Sequence, residues 1–138
     1  MSKNLLTVQQ IYACFGQGAI PGILEKLDDN VRWEEWADNS AQNAGVPWMQ
    51  PQIGKAGALA FFQGLGSSVQ LKDFQVLSIM DGGNQVAVEF VIEADVLATG
   101  RHYRDEEVHL WTFNEAGKVV RLRHYLDTHK HLMAASAQ

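Results

Sequence analysis

Apolar residues recur at helical spacing near the start of the chain and at alternate positions through its second half. Val8, Ile11, Tyr12 and Phe15 share one helical face. Thr7 with Gln10 reads as a capping box at the start of that helix, and Gly16 and Gly18 end it. Pro21 suits the first turn of a second helix, where its missing N–H is an orphan donor anyway. Ile23, Leu24 and Leu27 form that helix's stripe, and Asp28-Asp29-Asn30 breaks it. Val31 to Trp36 reads as a short strand with Val31, Trp33 and Glu35 on one face. Residues 37–53 read as a long polar loop, and loops of that kind are commonly functional or mobile. It carries Trp48 and Met49, which are expected to pack over a pocket mouth as a lid. The alternative is that Trp48 anchors the loop to the third helix, expected from about Lys55 to Leu65 with Leu59, Phe62 and Leu65 inward.

From Val69 the period changes to two. Strands are predicted at Val69–Met80, Gln85–Leu97, His102–Phe113 and Lys118–Asp127, separated by the turn signals Asp81-Gly82-Gly83-Asn84, Ala98-Thr99-Gly100 and Asn114-Glu115-Ala116-Gly117. A short helix is expected from Thr128. Helices first and hairpins after predict a single α+β domain over residues 1–138, with N-terminal helices packed on a curved antiparallel sheet.

Composition narrows the function classes. A net charge of −5 disfavours nucleic acid as a partner. No apolar stretch approaches the roughly 18 residues of a membrane span, and the polar N-terminus does not read as a signal peptide, so a cytoplasmic location is expected. The single cysteine, Cys14, excludes an intramolecular disulfide framework and reads as a packed thiol.

Period two places His109, Trp111 and Phe113 on one strand face, with Glu107 at its entrance, and Val120, Leu122, His124 and Leu126 on another. Each face holds a histidine among large apolar residues. If the two meet in a concavity, the result is an apolar pocket with few polar groups, the usual make-up of a small-molecule site. A buried, hydrogen-bonded core role for each histidine, and a solvated strand-end role for Glu35, stand as alternatives. No phosphate loop, metal-ligand spacing or nucleophile elbow occurs, so neither a cofactor nor a metal is expected.

Three segments carry a resemblance: GILEKLDDNVRWEE (22–35), the helix GKAGALAFF (54–62) and HLWTFNEAGKVVRLRHYLDT (109–128). They resemble the ketosteroid isomerase-related and SnoaL-like polyketide cyclase family, within the nuclear-transport-factor-2-like superfamily. The resemblance implies a cone-shaped α+β barrel, a homodimer and acid/base chemistry without a cofactor. It aligns Glu35 with the general-base aspartate of the isomerases and His109 with their oxyanion donor. Their helix-1 tyrosine falls at Ile11, with Tyr12 one position off. SnoaL-like cyclases pair a histidine on the penultimate strand with an acid on the last, at the position His124 occupies here. The expected activity is isomerase- or cyclase-like proton transfer on a small hydrophobic carbonyl compound. Glu35, His109 and His124 would be catalytic, with Trp33, Trp48, Trp111, Phe113 and Leu122 against the ligand. A non-catalytic ligand-binding protein, or a dimeric interaction protein, is the alternative. The Asp-Arg-Asp chemistry of limonene epoxide hydrolases is not expected, since its last-strand aspartate and its arginine fall at His124 and near Glu93.

Overall fold

Ser2, not Thr7, starts the first helix. In the computed structural model, which describes residues 2–136, the Ser2 hydroxyl accepts the Leu5 N–H at 3.1 Å and α1 runs Lys3–Gly16. Thr7 lies within it and donates its hydroxyl to the Lys3 carbonyl. Val8 and Ile11 point into the core. The second helix, α2 (Ile20–Leu24), has Pro21 in its first turn as expected but stops earlier. Leu27 and the Asp28–Asn30 run belong instead to β1 (Leu27–Glu35). Gly22 lets α2 approach α1, because a Cβ there would sit 2.7 Å from the Cys14 Sγ.

Residues 37–53 are structured rather than a free loop. They form a strap of one short helix, α3 (Ser40–Asn43), a 3-10 turn (Pro47–Met49) and a two-residue strand, β2 (Gln52–Ile53). Asn39, fully buried, holds the strap's start: its side chain accepts the Gln42 N–H and donates to the Trp36 carbonyl. Then come α4 (Gly54–Ser68), β3 (Val69–Asp81), β4 (Gln85–Val96), β5 (His102–Phe113), β6 (Val119–Tyr125) and α5 (Thr128–Ala135). On α4 the inward residues are Ala58, Phe61, Phe62 and Leu65, while Leu59 faces outward at 36% exposure. Asp127 caps α5 by accepting the His129 and Lys130 N–H groups.

The sheet has six strands in the order β2-β1-β6-β5-β4-β3. It is α+β with helices on one side of a curved sheet. Two details differ from the sequence reading: β1 runs parallel to β6, and β2 and β3 remain as unpaired edges, so strand pairing does not close the ring. A bulge opposite the Thr112/Phe113 step shifts the β6 register, so that Val119, not Val120, is buried beside the core.

Register sets the site. Glu35 pairs with His124, His124 with His109 and His109 with Val88, giving one row across β1, β6, β5 and β4. The next row is Trp33, Leu122, Trp111 and Val86. Both rows face the helices, where Trp33 packs its ring 5.4 Å from that of Phe62 on α4. On the opposite face Glu34 Oε1 accepts from Arg32, Arg121 and Arg123 at 3.0, 3.0 and 3.2 Å, which accounts for the dense arginines of β6. Among the described residues no helix is long and apolar enough to cross a membrane.

Candidate active site

A cavity of about 70 Å³ lies between the sheet and the helices. Glu35, His109 and His124 all line it, as do Trp33, Trp48, Trp111 and Leu122. Phe113 does not: it is buried in the core one step beyond Trp111. Aromatic rings from both helices and strands close the walls, with Phe90 of β4 centred 4.3 Å from the His109 ring.

Two hydrogen-bonded clusters organise the polar groups. In the first, Tyr12 on α1 meets His109. The Trp111 indole N–H donates to the Tyr12 oxygen at 3.1 Å, so the phenol O–H is free to donate to His109 Nδ1, 2.5 Å away. Burial raises the Tyr12 pKa well above its ordinary value, which keeps that proton on oxygen. Burial also pushes His109 well below its ordinary value, and the charge of nearby His124 adds to this. His109 is therefore neutral, with Nδ1 occupied as an acceptor and its proton on Nε2. That nitrogen has no protein partner among the described residues and is not shut off from the cavity.

The second cluster runs from Glu35 to the strap. His124 Nδ1 lies 3.3 Å from Glu35 Oε1, and His124 Nε2 lies 2.5 Å from Glu107 Oε1. Two carboxylates on the two ring nitrogens require two N–H donors, so His124 is an imidazolium. Burial opposes that charge, but Glu107 and then Glu35 outweigh it and raise its pKa to about 10. Burial likewise opposes ionisation of Glu107, yet the two histidines hold its carboxyl well below the usual carboxylate range. The second Glu107 oxygen accepts from His131 Nε2 at 2.8 Å, and Asp105 approaches the same nitrogen at 3.1 Å. The Trp48 indole N–H donates to His131 Nδ1 at 2.9 Å, so the strap is hydrogen-bonded to α5, while Trp48 and Met49 share an apolar cluster with Phe61 and Leu65 of α4, as the alternative expected.

Asp105, Glu107 and His131 bring three potential ligand atoms within 4.8 Å of one another. The donor chemistry does not suit a cation there. With the indole N–H on Nδ1, the neutral ring keeps its proton on Nε2, the nitrogen that faces the carboxylates, and the lone pair points at the indole.

Tyr12, Asp105 and His131 were not singled out by the sequence reading as site residues, and Glu107 was placed only at the strand entrance. Continuing the period-two face of β5 backwards from His109 reaches Glu107, Asp105 and Tyr103, all buried. That signal was available. His131 carried none, because its partners lie 24 and 26 residues away on another element.

An NTF2-like protein of unknown function from Burkholderia pseudomallei superposes with a TM-score of 0.85 at 22% identity, covering 99% of this chain and 100% of that one. TerC, co-crystallised with polyporic acid, gives 0.79 at 23% identity over 97% and 98% of the two chains. Rv0760c from Mycobacterium tuberculosis, in complex with estradiol-17beta-hemisuccinate, gives 0.75 at 19% identity over 94% and 98%. At these identities the structural likeness carries the fold. No curated protein matches the sequence. The family model for the SnoaL-like domain matches residues 8–122, and the chain belongs to that family.

Proposed function

We propose that this protein is a cofactor-independent acid/base enzyme, isomerase- or cyclase-like, acting on a small hydrophobic carbonyl compound. The observation that carries the reading is one register row that brings a carboxylate, Glu35, and a neutral imidazole, His109, into the same apolar cavity. Glu35 takes a proton from the carbon α to the carbonyl. The C–H electron pair becomes the C=C bond of an enolate as the C=O π pair moves onto oxygen, and His109 Nε2–H donates to that oxygen as charge develops on it. The proton then returns to carbon at the original or a conjugated position. Tyr12 fixes the His109 tautomer. We assign His124 the positioning of Glu35 rather than the part of a second acid/base, because both its N–H groups are committed to Glu35 and Glu107.

The ligands of two structural neighbours, polyporic acid and estradiol-17beta-hemisuccinate, support a hydrophobic ligand class. Ligands of that size need more room than about 70 Å³; pockets for drug-sized molecules run to roughly 300 Å³ and above. Binding therefore requires the aromatic walls or the strap to part. A homodimer through the outer sheet face fits the same reading, because Val108 and Leu110 there are only half-buried and Tyr125 is exposed.

The test is exchange of enolisable hydrogens for deuterium in D₂O, followed by NMR over a panel of hydrophobic ketones shown to bind. Glu35→Gln should keep binding and lower exchange at least about 100-fold, the low end of a general base's contribution. Binding without exchange in the wild type leaves a non-catalytic ligand-binding protein.

A further inference from the structure

His131 is buried to 1% exposure, outside the Glu35–His124–His109 row, and its two nitrogens face opposite demands. Nδ1 accepts the Trp48 indole N–H from the strap, which requires a lone pair. Nε2 faces the Asp105 and Glu107 carboxylates, which favour an N–H and a positive ring. The geometry points to His131 as a latch: taking a second proton on Nδ1 and letting go of Trp48 are one event, so that acidification loosens the strap from the cavity.

The ring can take that second proton only at Nδ1. There it would set N–H against N–H, and one must turn away. Trp48 is the partner that can move, since its strap meets the rest of the fold through short elements, whereas Asp105 and Glu107 lie within β5. Trp48 also lines the cavity, so its departure opens a wall. The latch works whether the cavity turns over its ligand or only binds it.

The groups facing His131 set the sign. From β5 come Asp105, Glu107 and the Tyr103 ring, whose centroid is 4.4 Å away. From β6, His124 lies behind Glu107 and opposes a second positive charge. From α5, Lys130 reaches Asp105 at 4.0 Å, and the helix's cap residue Asp127 donates its backbone N–H to Asp105 at 3.0 Å, both drawing on that carboxylate. Burial works against protonation, and the Asp105 and Glu107 carboxylates more than offset it. The Trp48 N–H is the remaining restraint on the second proton.

The experiment is a ¹⁵N NMR pH titration of the imidazole nitrogens and indole N–H signals of the full chain. In the wild type, His131 should be the Nε2–H tautomer at high pH. Its protonation and the loss of the Trp48 indole hydrogen bond should share one midpoint. Trp48→Phe keeps a ring but removes the donor, and should raise the His131 midpoint by about one unit or more. Asp105→Asn should move it the opposite way, which keeps the test open if the first variant folds poorly. A His131 that titrates while the Trp48 signal stays unchanged, an Nδ1–H tautomer, or a midpoint unmoved by these variants overturns the latch. None of these readouts needs activity, so failure here is distinct from failure of the proposed chemistry.

Discussion

Replacing Glu107 by glutamine removes one buried charge and leaves the volume unchanged. In the wild type this carboxylate sits 2.5 Å from His124 Nε2 and is the largest favourable influence on that imidazolium. Without it, Glu35 remains as the only directly bonded carboxylate, and the His124 pKa should fall from about 10 toward the ordinary 6.5. A full fall corresponds to roughly 5 kcal/mol at about 1.4 kcal/mol per unit. That is an upper bound, because Glu35 stays and the new amide oxygen still accepts a hydrogen bond. About 2–4 kcal/mol is expected, in line with leaving a buried ion without its partner. The pH dependence gives the sign. His124 is raised in the folded state, so its contribution is complete below pH 6.5 and is lost as pH rises through about 10. Glu107 is lowered, so its contribution is complete above 4.5 and is lost on acidification. The pair therefore stabilises most between these values. Urea unfolding at about pH 5.5, 7 and 9.5 should show a destabilisation that is largest at the lowest of these and shrinks at the highest. An NMR titration of His124 reports the shift directly. A stability change independent of pH, or a His124 midpoint that does not move, would refute the ion-pair reasoning.

Two further outcomes follow from the site and the sheet. Tyr12→Phe strands the Trp111 N–H and frees His109 Nδ1; it should cost about 1–2 kcal/mol in urea unfolding, and in NMR the His109 ring should populate both neutral tautomers. The protein should be a dimer by light scattering at micromolar concentration, and Leu110→Glu on the outer sheet face should give a folded monomer; a monomeric wild type would count against the interface.

The hairpins of the second half were legible because Asp81–Asn84, Ala98–Gly100 and Asn114–Gly117 are strong local turn signals between strands of period two, and the structure turns at each. Alternation also placed Trp33 and Glu35 on one face of β1, and His109 and Trp111 on one face of β5, so the row was readable before its strands were paired. What failed depended on distant partners. Ser2 and Thr7 are both competent caps, and no local rule chooses between them. Leu27 sits at helical spacing from Ile23 and Leu24, yet parallel pairing with Val119 draws it into β1. The strap's short helix and turn are too brief to hold by propensity; Asn39, Trp48 and Met49 anchor it through burial that no periodicity announces. The β6 bulge shifts a face by one residue, so Val119 and Val120 exchange roles.

The charges inside this protein are expensive, and that cost bears on what they are for. Glu35, Asp105 and Glu107 are each 5% exposed or less, and with His124 and His131 they form one connected set. Apolar residues of similar volume would hold such an interior as well or better, since the desolvation of buried ions commonly exceeds what their attraction returns. Stability alone therefore does not call for the arrangement. What apolar side chains cannot supply is a fixed set of protonation states. The Glu107–His124 pair holds an N–H on the Glu35 carboxyl, while the same imidazolium, together with burial, keeps His109 uncharged. One charged ring thus lies between the carboxyl and the neutral imidazole to which the proposed chemistry gives the parts of acceptor and donor. A groove that merely held an apolar ligand would need neither.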